Sequence, residues 1–201
     1  MRKKDPENEK LQRSQILSAA WKLFRQKGYE DTTLQDILTE AACSKGRFYY
    51  YFHAKAELLD SLYEVFDEKY EEVERALRPQ DPVCEKLRTV HAFLFDFMSR
   101  EVGTDLLSSL YRTQLEHKTG IDFWAPSRSF FRILRSIVEE GRSRGEIRRD
   151  VPTDDIVNDI IALERSCLLD WCLQNGSYPL TERSIRRVNI QLAGYRKCFE
   201  E

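Results

Sequence analysis

Residues 44–55 contain three consecutive tyrosines, at positions 49–51. The basic residues Lys45, Arg47 and Lys55 flank them, and the segment has no acidic residue. Phenolic hydroxyl, ammonium and guanidinium groups donate hydrogen bonds to phosphate oxygens, and a guanidinium group also fits the edge of a guanine base. The chemistry that this stretch favours is therefore binding to nucleic acid. The alternative is a solvated basic helix that has no partner.

The neighbouring residues predict two short helices joined by a tight turn. Thr33 is an N-cap candidate for a helix over about residues 33–41, whose apolar residues recur at i, i+3, i+4 and i+7. Ser44 is an N-cap candidate for a second helix, and Gly46 would let the backbone of that helix approach a phosphate. This pattern indicates a helix-turn-helix at about residues 32–52, whose second helix enters the major groove of DNA. The residues that the second helix would expose are Lys45, Gly46, Arg47, Tyr49 and Tyr50.

The order and spacing of these residues resemble the TetR family of bacterial transcriptional regulators over about residues 12–70. The matching segment begins at Gly28 and reads GY-x-x-TT-x-x-x-IL-x-x-A-x-x-SKG-x-x-YYYF-x-x-K-x-ELL. The resemblance implies a base contact for Arg47. It also implies phosphate contacts by residues of the motif and of the long helix that follows it, namely Thr33, Ser44, Lys45, Tyr49, Tyr50 and Lys55.

Three positions depart from the family pattern. Leu38 stands where the family usually has alanine, and Ala42 stands where it usually has a glycine in the turn. A glycine there would favour a left-handed conformation, which an alanine adopts at a cost of ~1–2 kcal/mol. Cys43 takes the place of an apolar residue that packs into the turn, so we expect it to pack there; a sensing thiol is the alternative.

The composition predicts an all-α fold. Leu, Glu, Arg, Lys and Ala recur throughout the chain, and its 201 residues include only 8 glycines and 6 prolines, too few for the many tight turns of a sandwich or barrel. No apolar run is long enough for a signal peptide or a membrane span, which favours a cytoplasmic protein. The five cysteines have no C-x-x-C spacing, so we predict reduced thiols and no metal or cofactor.

Charge is distributed unevenly along the chain. Residues 1–55 carry 11 Lys and Arg against 7 Asp and Glu, whereas the remainder carries 21 against 27. This asymmetry favours a module that faces nucleic acid, joined to an acidic body.

Helical periodicity continues beyond the motif. Pro79 and Pro82 interrupt it and mark a domain boundary between a helix-turn-helix domain, residues 9–69, and a second helical domain, residues 79–201. The resemblance implies that the second domain binds a ligand and dimerises. Outside the motif, the predicted helices cover residues 9–27, 54–78, 83–100, 104–117, 127–143, 153–175 and 181–199.

Aromatic residues between about positions 90 and 171 are candidates for the lining of an apolar ligand pocket. For each of them singly, a place in the core is the stronger alternative. The candidates are Phe93, Phe97, Tyr111, Trp124, Phe131 and Trp171. His91, Glu116 and His117 have a spacing that matches no known metal site, so we expect solvated or hydrogen-bonded histidines.

The last two predicted helices carry apolar stripes suited to a helix pair. The resemblance implies that such a pair forms a four-helix bundle with that of a second copy, whereas the alternative is that the stripes belong to the intrachain core. The stripe residues are Ile156, Ile160, Leu163, Ile185, Val188 and Leu192.

Together these features predict a homodimeric regulator that binds a palindromic double-stranded DNA operator and releases it on binding a small, largely apolar effector. Alternatives are an effector-independent DNA-binding protein, an activator, or an enzyme with an appended helix-turn-helix. Against the enzyme, the sequence has no G-x-S-x-G segment, P-loop, dinucleotide-binding fingerprint or metal-ligand cluster.

Overall fold

The computed structural model describes residues 6–116 and 128–196. Three sequence predictions concern residues outside these ranges: the pocket role of Trp124, the environment of His117 and the C-terminal end of the last predicted helix.

Nine α-helices and one π-helical turn make up the regular structure of the described residues, apart from an isolated antiparallel bridge between Ile147 and Arg196. The all-α prediction is confirmed. The helices are α1 (Pro6–Lys27), α2 (Leu34–Glu40), α3 (Lys45–Tyr51), α4 (Glu57–Ala76), α5 (Val83–Phe97), α6 (Gly103–Leu115), α7 (Ser129–Arg144), α8 (Thr153–Leu173) and α9 (Leu180–Tyr195).

The π-helical turn Met98–Val102 separates α5 from α6. Gly103 follows it with a φ of 77°, a conformation that glycine adopts without the steric penalty of a side chain. The gap that the sequence predicts between residues 100 and 104 therefore falls at the end of this turn. None of the described helices combines the length and apolar character that a membrane span requires.

The described residues form two compact units. The first contains residues 6–64 and 105–116, and the second contains residues 65–104 and 128–196. Most of α6 therefore packs with the helix-turn-helix, although the sequence assigned it to the second domain. Helix α4 contributes residues to both units.

The first unit encloses a core from α1, α2, α3, the start of α4 and α6. Ile16, Ile37, Phe48 and Leu58 are buried in it, and the Trp21 indole N–H donates a 3.1 Å hydrogen bond to Oγ of Ser61. The helices of this unit are amphipathic, so their apolar faces meet inside it.

Helix α6 is tied to the loop that leads into α2. The Asp105 carboxylate accepts a 3.1 Å hydrogen bond from the Tyr29 backbone N–H, and Arg112 pairs with Glu30. Gly28 has a φ of 86°, and a Cβ there would lie 3.0 Å from the Asp105 carboxylate, so glycine suits both the turn and the close approach.

In the second unit α5 packs against α7 and α9, and α8 packs against α7 and α9. Gly141 permits close packing of α7, because a Cβ at this position would lie 2.8 Å from side-chain atoms of Val83 and Ile147. Trp171 is buried, and its indole N–H donates a 3.1 Å hydrogen bond to the carbonyl oxygen of Tyr178.

Candidate nucleic-acid interface

A capping box starts α2. Oγ1 of Thr33 accepts a 3.2 Å hydrogen bond from the Asp36 N–H, and the Asp36 carboxylate accepts one of 2.7 Å from the Thr33 N–H. The ammonium group of Lys27 lies 2.6 Å from the same carboxylate. Hydrogen bonds hold the pKa of Asp36 well below its usual range, the one from Lys27 having the largest effect and those from Thr33 the next largest. Thr33, predicted to cap α2 and contact phosphate, thus has the capping geometry.

The turn between α2 and α3 has the left-handed geometry expected from its position. Ala42 has a φ of 47°, and the N–H groups of Ala42 and Cys43 donate to the carbonyl oxygens of Thr39 and Leu38 at 3.1 and 3.0 Å. Cys43 is half-buried, and burial raises the pKa of its thiol while the nearby Arg47 opposes the rise. The raised pKa lowers the thiolate fraction, which argues against a sensing thiol.

Helix α3 divides its aromatic residues between the core and the surface. Oγ of Ser44 accepts a 3.2 Å hydrogen bond from the Arg47 N–H and thereby fixes the start of the helix. Phe48 is fully buried, whereas Tyr49 and Tyr50 are 43% and 55% exposed. Since Phe48 anchors one face of α3 in the core, the opposite face points to solvent.

The predicted DNA-contacting residues of α3 all lie on its exposed part. Lys45, Gly46 and Arg47 are exposed, and Nζ of Lys45 lies 6.0 Å from the centre of the Tyr49 ring. The Tyr50 hydroxyl donates a 3.1 Å hydrogen bond to Glu9. A phosphate that contacted this hydroxyl would have to replace Glu9 as its acceptor.

An open hollow of about 440 Å³ lies along α2, the turn and the start of α3. Its lining residues are Gln35, Leu38, Thr39, Ala42, Cys43, Ser44 and Lys45. With the exposed donors of α3 at its edge, this surface can accept the phosphate backbone of a duplex beside the helix.

Lys55 occupies a different environment from the other predicted contacts. Its ammonium group donates to the carbonyl oxygens of Tyr29 and Thr32 at 2.8 and 2.9 Å, and it lies 4.1 Å from the centre of the Tyr29 ring. Burial lowers the pKa of Lys55, and the carboxylates of Glu30 and Asp31 partly offset this effect. The lysine therefore holds the loop before α2, and its contact with phosphate stays a prediction.

The aromatic pocket candidates do not all come together. Tyr111 lies in the first unit, whereas Phe93, Phe97, Phe131 and Trp171 lie in the second. Phe93 is exposed, and Trp171 is buried with its indole hydrogen-bonded. Their role in binding a ligand stays a prediction.

Four of the six residues predicted at a dimer interface are buried in the core of the chain itself: Ile156, Ile160, Val188 and Leu192. Leu163 and Ile185 are half-buried. The large apolar side chains that α8 and α9 expose are instead Leu169, Leu173 and Ile190, with Leu173 and Ile190 at 75% and 72%. The sequence stripe had marked the inner face of each helix.

Sequence reasoning missed a buried polar cluster in the second unit. The Tyr70 hydroxyl donates a 2.9 Å hydrogen bond to Oε1 of Glu164, and Nε2 of His91 lies 3.7 Å from Oε2 of the same side chain. The only signal in the sequence is that an acid and a histidine occupy positions where a helix faces the core. Within residues 6–116 and 128–196, no group of three or more His, Cys, Asp and Glu side chains could hold a metal ion.

Comparisons with known proteins identify relatives of the chain. The family model described as bacterial regulatory proteins, tetR family, matches residues 16–62, which include α2, α3 and the capping residues described above. The HTH-type transcriptional repressor NicS of Pseudomonas putida is 31% identical over 143 residues, which cover 69% of this chain and 67% of NicS.

Solved structures extend the similarity to both units. Thermus thermophilus FadR, a TetR family transcriptional repressor in complex with lauroyl-CoA, is 25% identical with a TM-score of 0.71, covering 94% of this chain and 98% of FadR. A TetR-family regulator from Pectobacterium atrosepticum has a TM-score of 0.79 at 16% identity, covering 97% and 99% of the two chains, and therefore shows the shared fold alone.

Proposed function

Because the chain belongs to the TetR family of bacterial transcriptional regulators, we propose that it binds a palindromic operator as a homodimer and releases it on binding a small, largely apolar effector. One observation carries the DNA-binding part. Lys45, Arg47 and Tyr49 project from a helix whose other face is anchored by the fully buried Phe48. An anchored helix presents its donors in a fixed arrangement, which reduces the entropy lost on binding.

The exposed residues of α3 have distinct roles in this proposal. Lys45 and Tyr49 contact phosphates on the two sides of the major groove, and Gly46 lets the backbone come close. Arg47 has a planar guanidinium group and reads a base edge, guanine being the base that fits it best. Thr33 and Ser44 cap their helices and also contact the DNA backbone. Tyr50 contacts the DNA backbone too, once its hydroxyl gives up the hydrogen bond to Glu9.

In the proposed homodimer, a second copy of the chain supplies the second α3. Ala162, Ser166, Leu169 and Leu173 follow one another at spacings of three and four residues, so they share a face of α8 that is exposed in the single chain. Ile190 is the large exposed apolar residue of α9. Small and apolar side chains permit close helix packing, and a twofold dimer would set two copies of α3 against two half-sites.

The proposal of an apolar effector rests on the ligand of T. thermophilus FadR. The FadR of T. thermophilus is described in complex with lauroyl-CoA, whose acyl chain is apolar. In this chain the aromatic side chains of the second unit supply a lining of suitable character, including Phe97 and Phe131. Effector binding would favour a conformation that no longer fits the operator, with a coupling free energy of about 1–3 kcal/mol.

Fluorescence anisotropy with DNA from upstream of the protein's own gene tests the proposal at two salt concentrations. Binding should be tight, salt-sensitive and confined to one palindromic site. Lys45→Ala should weaken it and reduce the slope of log affinity against log salt by about one, and Tyr49→Ala should also weaken it. Lys69→Ala is the matched control, since that lysine pairs with Glu72 in the second unit. If the upstream DNA contains no binding site, bound sequences are selected from a pool of random duplexes. A selected pool without any sequence preference would contradict the proposal.

A further inference from the structure

Three helices of the second unit contribute polar side chains to one buried cluster. Tyr70 comes from α4, His91 from α5 and Glu164 from α8, and each is at most 6% exposed. Oε1 of Glu164 accepts the hydrogen bond from the Tyr70 hydroxyl. Oε2 is buried and takes part in no hydrogen bond with the described residues. A buried carboxyl oxygen without a hydrogen-bond partner is costly, so its persistence calls for a function.

The histidine of the cluster adds a second acceptor beside that oxygen. Nδ1 of His91 lies 2.6 Å from the carbonyl oxygen of Leu87, and only a protonated Nδ1 can donate to a carbonyl. Burial lowers the pKa of His91, which favours the neutral ring with a lone pair on Nε2. Nε2 and Oε2 of Glu164 are 3.7 Å apart, too far for a direct hydrogen bond but near enough to share one donor.

Two members of this cluster lie close to further aromatic rings. The Tyr70 ring lies 5.1 Å from that of Phe130, and the His91 ring lies 6.1 Å from that of Phe95. Ring faces attract organic cations and also accept apolar groups. The surroundings therefore suit a ligand that has a positively charged head and an apolar remainder.

Burial is the main influence on the protonation of Glu164. Burial raises its pKa to about 8, opposed by the Tyr70 hydrogen bond and by Arg165 on the same helix. Two further charged groups act on Tyr70, namely Arg128 and Asp67, which pair with each other at 3.2 Å. Near pH 7 Glu164 is thus mostly a neutral acid when no cation is present.

These observations, which rest on the effector-responsive function proposed above, point to a chemical class of effector. We propose that Glu164 and His91 bind the protonated amine of an effector whose remainder is apolar or aromatic. The ammonium group donates one hydrogen bond to Oε2 of Glu164 and another to Nε2 of His91. Glu164 binds as the carboxylate, so its proton passes to solvent while the amine keeps its own.

Isothermal titration calorimetry of the full chain tests this with three probes of one shape: 4-phenylbutylamine, 4-phenylbutanol and 4-phenylbutyrate. The amine should bind most tightly of the three. Repeating the titration at pH 7 in buffers of different ionisation enthalpy should show release of close to one proton per ligand. Amine affinity should rise several-fold from pH 6.5 to pH 7.5, because the ionised fraction of Glu164 increases.

Glu164→Gln keeps the size of the side chain but removes its ability to ionise. It should lower amine affinity by about tenfold or more and abolish proton release, while binding of the alcohol changes little. Glu139→Gln, a substitution of an exposed glutamate of α7, is the matched control and should leave all three titrations unchanged.

The proton count keeps the test independent of how well the variant folds. Failure of the wild-type chain to bind the amine, tighter binding of the alcohol or of the butyrate, or amine binding without proton release would each overturn the proposal. Operator binding is measured separately by anisotropy with and without the amine. Intact operator binding with no amine binding overturns this inference alone, whereas amine binding with no operator in any DNA overturns the regulator function and leaves the site standing.

Discussion

Nζ of Lys55 lies 2.8 Å from the carbonyl oxygen of Tyr29 and donates a hydrogen bond to it. The same ammonium group bonds the carbonyl oxygen of Thr32 at 2.9 Å, so one side chain closes the loop that precedes α2. The Tyr29 N–H in turn binds Asp105 of α6. The start of the helix-turn-helix is thereby held by both a cation and an anion from elsewhere in the first unit.

Replacing Lys55 with methionine should destabilise the protein. The substitution keeps most of the apolar stem but removes the charged donor, so we expect the free energy of unfolding to fall by about 1–2 kcal/mol. Urea unfolding followed by circular dichroism measures it. Lys45→Met is the matched control and should change stability by less than about 0.5 kcal/mol, because Lys45 is exposed. Equal effects of the two substitutions would show that the hydrogen bonds of Lys55 to the loop before α2 do not stabilise the protein.

Ala42→Gly should stabilise the turn. Ala42 has a φ of 47°, which costs an alanine more than a glycine, and the residue is exposed, so little packing is lost. We expect a gain of about 0.5–1 kcal/mol after the entropy of glycine in the unfolded chain is subtracted, and a melting temperature about 1–4 °C higher. Ala41→Gly, one residue earlier at a φ of −79°, should instead destabilise. The idea fails if both substitutions shift the melting temperature in the same direction.

The capping box should make stability depend on pH through Asp36. Hydrogen bonds from Lys27 and Thr33 lower the pKa of Asp36 in the folded state. Its stabilising contribution is therefore complete above about pH 4, the unfolded value, and is lost as the pH falls through the folded value. Urea unfolding of the wild type and Asp36→Asn should differ by a constant amount from pH 7 to pH 4.5 and progressively less below pH 4. A difference that stays constant down to pH 2.5 would contradict the assignment, and Glu139→Gln serves as the control.

Arg47→Ala should relax sequence preference. An arginine that reads a base edge contributes about 1–3 kcal/mol of discrimination, whereas a lysine that contacts phosphate contributes equally to all sequences. Anisotropy with the operator and its single-base variants should show one position at which Arg47→Ala no longer discriminates. Lys45→Ala should weaken binding to every duplex by a similar factor. If Arg47→Ala keeps the full preference at every position, another residue reads the bases.

The proposed dimer interface contains the exposed apolar residues of α8 and α9. Charges introduced by Leu173→Glu and Ile190→Glu together should leave a monomer, since burying unpaired carboxylates is unfavourable. Sedimentation velocity at micromolar concentration measures the change. Leu115→Glu, at an even more exposed leucine of α6, should leave the dimer intact. If the double variant still sediments as a dimer, the interface lies on other residues of the chain.

The elements that sequence predicted well are those set by signals within a few residues. Thr33 and Ser44 each cap the helix that follows, and the turn at Ala42 has the expected left-handed conformation, because these features depend on neighbouring backbone atoms. The exposure of Tyr49 and Tyr50 follows from helical spacing once Phe48 is placed in the core.

What sequence could not predict depends on residues distant in the chain. The carbonyl partners of Lys55 lie more than twenty positions earlier, and no local pattern reports them. Periodicity found the apolar stripe of Ile156 and Ile160, but a stripe does not say whether the same chain or a second copy covers it. Glu164 and His91 meet only after α5 and α8 pack together.

The hydrogen-bonded indoles of Trp21 and Trp171 give each unit an optical reporter of its own. The chain has 3 tryptophans, and the third is Trp124, so Trp124→Phe would leave one indole per unit. Removing Trp21 or Trp171 from that variant would then give two single-tryptophan chains. The intrinsic emission of each chain would report on one unit alone. An added effector that altered the emission of Trp21 would reveal transmission between the units without any label.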